Sequence, residues 1–328
     1  MVDYSRTSKV SIAPMMDWTD RHCRYFMRLL SPGVFLYTEM VTAAAICHGD
    51  AAALLQFDPS EHPLALQLGG SDPATMARSA KMAADAGYDE ININIGCPSD
   101  RVQSGAFGAC LMANPQIVAD CVAAVRDAVK IPVTVKTRIG IDDHDSFEFL
   151  QDFIATVAAA GCELFIVHAR KAILSGLSPK DNRRVPPLNY ERVHAIKKAF
   201  PELTIILNGG ITTIAQCRQQ LAMVDGVMIG RQAYQQPWFL FELARSMQAN
   251  DVARKSGREQ IIELMYPYIE QQLSSGVPLK SITRHLFGLF AGQPGARAWR
   301  RYLSEHAHQS GAGIEVLQRA LEQLPRAA

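Results

Sequence analysis

The sequence has no Cys-x-x-Cys pair, no apolar run near the roughly 18 residues that a membrane span requires, no low-complexity segment and almost no net charge. Seven cysteines without paired spacing argue against a disulfide framework, a structural zinc site and a thioredoxin-type centre, and leave reduced thiols as the expectation. No membrane association is expected. The start, Met1 to Lys9, is polar and lacks the apolar core of a signal peptide, so cytoplasmic residence is expected. A net charge of +1 means that any case for a polyanionic partner must rest on local patches. One local absence makes such a case: between Glu270 and Glu305 there is no carboxylate.

What is present is alternation. Short apolar runs predict strands at Val10 to Pro14, Val34 to Thr38, Leu64 to Leu68, Glu90 to Asn94, Val133 to Thr137, Leu164 to His168, Thr204 to Asn208 and Gly226 to Ile229. Helical patterns follow them, among them Asp72 to Ala86, with Asp72 as cap and Pro73 in the first turn, and Ser146 to Ala160, stopped by Gly161. Eight βα units predict an α/β fold of the closed (β/α)8 TIM barrel type. Beyond Pro237 to Gln248 no strand pattern recurs. Helices are predicted at Gln260 to Ser274, Leu279 to Ala291, Ala296 to His308 and Ile314 to Leu324, separated by glycine and proline. The expected domains are a barrel over 1–249 and a small all-helical domain over 250–328.

Active sites of such barrels lie at the C-terminal strand ends. There the sequence places Ala13-Pro14-Met15-Met16, Gln67 before two glycines, Asn94 and Cys97, Lys136 and Arg138, His168 to Lys171, Asn208-Gly209-Gly210, and Gly230-Arg231. Glycines after the seventh and eighth strands let backbone N–H groups approach a phosphate, and Arg231 adds charge. A phosphate-tailed ring cofactor near Lys136, Gln67 and His168 fits this set, and flavin mononucleotide suits, with Lys136 beside the pyrimidine edge. Cys97 sits between Gly96 and Pro98, just past a strand of alternating Ile and Asn, and loops are where catalytic groups concentrate. The acidic run Asp142-Asp143-His144-Asp145 reads as a helix N-terminus and not as a metal site.

The carboxylate-free stretch carries Lys280, Arg284, Arg297, Arg300 and Arg301 interleaved with His285, Phe287, Phe290, Trp299 and Tyr302. Arginine and aromatic groups together suit phosphate contact and base stacking. Lys171, Lys180, Arg183 and Arg184 form a second basic group after the sixth strand.

On these residues the sequence resembles the tRNA-dihydrouridine synthases, and within them the DusA branch. The resemblance runs from Ala13-Pro14-Met15-Met16-Asp17-Trp18 and Tyr37-Thr38-Glu39-Met40 through Gln67-Leu68-Gly69-Gly70 and Asn94-Ile95-Gly96-Cys97-Pro98-Ser99. It continues in Val135-Lys136-Thr137-Arg138, His168-Ala169-Arg170-Lys171-Ala172, Asn208-Gly209-Gly210 and Ile282-Thr283-Arg284-His285. It implies an FMN enzyme that reduces uridine to 5,6-dihydrouridine in the tRNA D-loop, at positions 20 and 20a, with NADPH reloading the flavin and Cys97 donating a proton to C5. It further implies FMN contacts at Pro14, Met15, Met16, Gln67, Lys136, His168, Asn208, Gly209, Gly210, Gly230 and Arg231, and places Asn94, Arg138 and Lys171 near the uracil or adjoining tRNA. The chemistry is coherent by itself: hydride addition to the electron-poor C5=C6 bond leaves an anion that a positioned acid traps, and an unperturbed thiol carries a proton at neutral pH. The target base must leave its stack to reach a barrel mouth. A monomer is expected. The alternatives are a dihydroorotate dehydrogenase-like FMN enzyme on a free pyrimidine, which would need no basic appendage, and a tRNA-binding module without turnover.

Overall fold

The computed structural model describes residues 9–99, 105–247 and 257–325. Eight strands run in chain order: β1 Val10–Ile12, β2 Leu36–Thr42, β3 Leu64–Gly69, β4 Glu90–Ile95, β5 Val133–Arg138, β6 Leu164–His168, β7 Thr204–Asn208 and β8 Gly226–Ile229. All pairs are parallel, in the order β1-β8-β7-β6-β5-β4-β3-β2. The circuit closes between β1 and the lead-in to β2, where Ile12 donates to the Phe35 carbonyl at 2.9 Å and Phe35 donates to that of Val10 at 3.1 Å. This is the expected (β/α)8 TIM barrel.

Strand periodicity explains its two faces. Ile91, Ile93 and Ile95 of β4 alternate with Glu90, Asn92 and Asn94, and the latter set bonds to Gln67 of β3 and Thr134 of β5 across the ladder. Ala13, Phe35, Tyr37, Ala65, Leu164, Ile166 and Met228 form a packed cluster, with Ala65 in register with Glu90. Helix Pro73–Ala86 begins where Asp72 accepts the Thr75 N–H at 2.7 Å and ends at Gly87, φ 103°. In helix Phe147–Ala159, Ser146 accepts from the Phe149 N–H at 3.0 Å. Each such cap contributes about 1 kcal/mol.

Most bounds shift by a residue or two, and two predicted elements differ by more. β2 begins later and runs four residues past the expected Thr38, because its register against β3 shifts between Tyr37 and Met40 and then resumes as far as Thr42. Thr42 in turn caps helix Ala43–His48. Ladder pairing engages backbone groups, so Glu39 does not end it. The helix expected over Leu279 to Ala291 stops at Thr283. Beyond it the N–H groups of His285, Leu286, Leu289 and Ala291 reach back three residues, and the Leu286 carbonyl also accepts the Trp299 indole N–H at 3.2 Å. Gly288 lets the Gln235 carbonyl approach to 2.6 Å of where a Cβ would stand, a contact that an uninterrupted helix with a side chain there could not make.

The chain divides into two compact units, one running to Asp17 and resuming over Val34–Gly230, the other formed by Trp18–Gly33 with the chain from Arg231 onward. The expected boundary at 249/250 lies outside the described residues. In the second unit, helix Arg21–Leu30 packs against helices Trp238–Met247, Arg258–Ser274 and Leu279–Thr283. Phe26, Met27 and Leu30 are buried, Tyr25 stacks on Tyr268 at 3.9 Å, and the His22 Nδ1 lies 2.7 Å from the Tyr268 hydroxyl. Among the described residues no helix is long and apolar enough to cross a membrane.

Burial lowers the His22 pKa to about 4, against the pull of Asp20. The unfolded chain therefore takes up this proton first, and stability contributed above pH 6.5 is lost as pH falls from about 6.5 toward 4. His22→Gln is expected to flatten the drop in Tm between pH 7 and pH 5 relative to the unsubstituted protein. An equal drop in both proteins would exclude His22 as the titrating group.

Candidate active site

The carboxyl end of β4 turns into the Cys97 loop through one side chain. Asn94 Oδ1 accepts the N–H groups of both Gly96 at 3.0 Å and Cys97 at 2.9 Å, so the residue that ends the strand also fixes the turn. The Cys97 carbonyl accepts the Ala109 N–H at 3.0 Å, and its half-buried thiol lies 3.4 Å from the Ser99 hydroxyl. From β5, the buried Arg138 donates Nε to the Gly96 carbonyl at 2.8 Å and Nη1 to the carbonyls of Lys171 at 3.0 Å and Asn182 at 3.2 Å. Arg138 thus ties the Cys97 loop to the loop after β6, a pairing that the order of residues does not announce.

Gln67 is buried and holds two amides, accepting from Asn94 Nδ2 at 2.8 Å and donating to Asn92 Oδ1 at 2.7 Å. One amide hydrogen and one lone pair remain to it. Lys136 stands in register with Asn94 and is partly buried. Among the described residues its ammonium has no hydrogen-bond or ion-pair partner. Desolvation, and then the Arg138 charge, bring its pKa down to about 7, with Cys97 opposing. A desolvated cation of this kind is a seat for an anion or an electron-rich edge.

Across the barrel, His168 pairs in register with Asn208, whose amide donates to the Met228 carbonyl at 2.8 Å. Gly209 has φ 116°, and a Cβ there would stand 2.6 Å from the His168 ring, so glycine is required on both counts. Gly210 has φ 70° and is closed in by Leu188 and Tyr190, whose hydroxyl donates to the Gly209 carbonyl at 2.8 Å. Among the described residues the N–H groups of Gly209 and Gly210 donate to no protein acceptor. Two N–H groups without a protein acceptor and a nearby imidazole suit a phosphate, and with Lys136 the barrel end fits a phosphate-tailed ring cofactor. Pro14 and Met15 are partly buried, Met15 against the interior cluster, while Met16 is 56% exposed. Gly230 closes the barrel unit, and Arg231 opens helix Arg231–Gln235 of the other.

The expected RNA contacts separate into engaged and exposed groups. Lys171 pairs with Asp145 at 2.9 Å and donates to the Asp142 carbonyl at 2.8 Å. Asp142 spends its carboxylate on the Leu174 N–H at 2.8 Å, so the acidic run organises loops. Lys180, Arg183 and Arg184 are exposed on a loop knitted by the buried Asn182, which bonds to both the N–H and the carbonyl of Ile173. In the helical unit, Arg297, Arg300 and Arg301 are exposed along one face of helix Ala296–His306, opposite buried Trp299 and Leu303. Arg284 differs. It pairs with Asp20 at 2.6 Å, and His285 faces the same carboxylate at 3.0 Å, so the carboxylate-free stretch receives its counter-charge from a residue 264 positions away. Burial opposes ionisation of Asp20, yet its contacts with His285, the Cys23 N–H and Arg284 hold it below the usual carboxylate range. Asp20, His22, Val277, Lys280, Ser281 and Arg284 line a cleft of about 530 Å³.

The dihydrouridine synthase (Dus) family matches residues 11–325. The chain belongs to that family. It is accordingly a flavin-dependent oxidoreductase by class. Similar curated proteins, each named tRNA-dihydrouridine(20/20a) synthase, come from Vibrio vulnificus (57% identity over 98% of this chain and 98% of that one), Escherichia coli K12 (59%, 98% and 92%) and Salmonella typhimurium (60%, 96% and 94%). Among solved structures, a 2-naphthoyl-CoA reductase complex superposes with a TM-score of 0.57 at 10% identity, over 73% of this chain and 50% of that one, a likeness of fold alone. The Dus match spans both units, and so includes the basic helical face as well as the barrel end.

Proposed function

We propose that this Dus protein reduces uridine to 5,6-dihydrouridine at positions 20 and 20a of tRNA, in the cytoplasm and as a monomer, with FMN as resident cofactor and NADPH as its reductant. The observation that carries the reading is the Cys97 loop, braced by Asn94 and Arg138 at the same barrel end as the unpartnered Lys136. Bound there, FMN would supply the hydride that adds to C6 of the uracil. Gly209 and Gly210 would hold its phosphate through their N–H groups, with Gly230 and Arg231 completing that side. Lys136, Gln67, His168 and Asn208 would hold the ring, beside Pro14, Met15 and Met16. Cys97 then donates its proton to C5, so one hydride and one proton account for the two hydrogens gained. Asn94 positions that thiol, and Arg138 and Lys171 keep the flanking loops in place.

The test is direct. Purified protein, NADPH and tRNA lacking dihydrouridine should yield dihydrouridine at positions 20 and 20a, with flavin absorbance in the protein as isolated. Product at other positions, or bound tRNA without turnover, would overturn the assignment.

For RNA docking, Arg297, Arg300 and Arg301 are the stronger candidates than Arg284, whose charge Asp20 already balances. Replacing these three together with Ala is expected to weaken tRNA binding and to reduce the log–log salt slope by about 2 units, at roughly 0.7–0.9 for each phosphate no longer neutralised. Flavin content should not change. Identical slopes in a salt titration would move recognition to Lys180 and Arg183.

A further inference from the structure

Glu90 opens β4, at the end of the barrel away from Cys97, and no step of the proposed reaction uses it. It is fully buried, as is Asn92, and Tyr37, Thr134 and Gln67 are all but so. These residues form one continuous line of hydrogen bonds through the barrel interior. Tyr37 donates to Glu90 Oε1 at 3.0 Å, and Thr134 donates to the same oxygen at 2.6 Å. Asn92 Nδ2 donates to the Thr134 hydroxyl at 2.8 Å, Gln67 Nε2 to Asn92 Oδ1 at 2.7 Å, and Asn94 Nδ2 to Gln67 Oε1 at 2.8 Å. Asn94 Oδ1 is left facing the N–H groups of Gly96 and Cys97.

The line has a direction, and its direction has a source. A hydroxyl owns one proton. While Thr134 gives its proton to Glu90, it can only accept from Asn92, which turns the Asn92 oxygen toward Gln67. That choice turns the Gln67 oxygen toward Asn94, and the Asn94 oxygen toward the Cys97 loop. We propose that Glu90 is a positioning residue: by presenting an acceptor oxygen to Thr134 it sets every amide in the line, and so holds the Cys97 loop in its reactive geometry. Burial pushes the Glu90 carboxyl up to about 8, with the Thr134 hydrogen bond opposing, and either protonation state keeps an acceptor at Oε1. Without that acceptor the Thr134 proton competes for Asn92, and only the Gly96 and Cys97 N–H groups still oppose reversal of the amides.

The activity arm of the test rests on the function proposed above, and the labelling arm does not. Glu90→Leu removes the acceptor, Glu90→Gln keeps one, and Thr134→Val removes the hydroxyl that reads it. In the full-length flavin-loaded protein, Glu90→Leu and Thr134→Val are expected to change the rate of Cys97 alkylation by iodoacetamide, followed on the Cys97 peptide, by about fivefold or more. They should also lower kcat about tenfold or more with KM for tRNA unchanged, as expected when a reacting group is misplaced. Glu90→Gln should restore both values. The Leu and Val changes combined should cost no more than either alone, because they break one line. Should Glu90→Leu fail to fold, Thr134→Val, which exchanges a hydroxyl for a methyl group of similar size, decides. Wild-type alkylation and kcat in a folded Glu90→Leu or Thr134→Val protein, or no rescue by Gln, would overturn the proposal. If the unsubstituted protein forms no dihydrouridine, the functional reading fails by itself, and the alkylation rates still judge the relay.

Discussion

Cys97→Ala is expected to retain FMN and its reduction by NADPH while forming dihydrouridine about 100 to 10,000 times more slowly, the range typical of removing a general acid. The expectation follows from where the thiol is held. Its backbone is bonded through Asn94 and Ala109, neither of which involves the sulfur, so truncation to Ala leaves the loop in place and removes only the acid. The side chain is half-buried and its polar neighbour is the Ser99 hydroxyl, so folding should lose little. A single-turnover measurement with pre-reduced protein isolates the step. Wild-type product formation there would exclude Cys97 as the proton donor, whatever its effect at steady state.

Arg138→Ala is the second large effect, and it should register first in stability. The guanidinium donates to three carbonyls on two loops, and a hydrogen bond with a charged partner contributes about 1.5–3 kcal/mol net. Because the three share one donor group they will not add fully, and a loss on the order of 3–5 kcal/mol is expected from the denaturant midpoint at unchanged slope. Arg138→Lys should recover little of it, since an ammonium on a flexible stem cannot reproduce the planar fork. If stability is unchanged and only KM for tRNA rises, Arg138 acts on the substrate and not as a strut.

Much of this molecule could be read from the chain alone, and the reasons differ by element. Strands such as Leu164–His168, Thr204–Asn208 and Gly226–Ile229 match their expected limits because apolar runs bounded by turn residues are local signals. Asp72 and Ser146 were legible as caps for the same reason. The helix after Leu279 was not, because beyond Thr283 the backbone bonds tighten to three-residue spacing and the Leu286 carbonyl is shared with the Trp299 indole, a partner 13 residues further along. Candidate residues at the strand ends were legible because the fold dictates where strands end. Their partners were not: nothing in the order of residues announces that Thr134 will lie beside Glu90, or that Asp20 will balance Arg284. The cap role of Asp20 before helix Arg21–Leu30 was visible in principle, and it would have flagged a carboxylate held in place.

The division of the chain into units has a practical corollary. The backbone passes from one unit to the other after Asp17, after Gly33 and after Gly230, so the helical unit is interleaved with the barrel and is not a cassette added at one end. A protein truncated near residue 249 would keep helix Arg21–Leu30 but lose Tyr268 and Gln272, which hold His22, Tyr25 and Arg21, and would uncover the apolar side of Phe26, Met27 and Leu30. Chimaeras between relatives meet the same constraint. The segment 18–33 has to travel with the C-terminal helices, as a graft in two pieces, or the recipient inherits a helix whose partners belong to another protein.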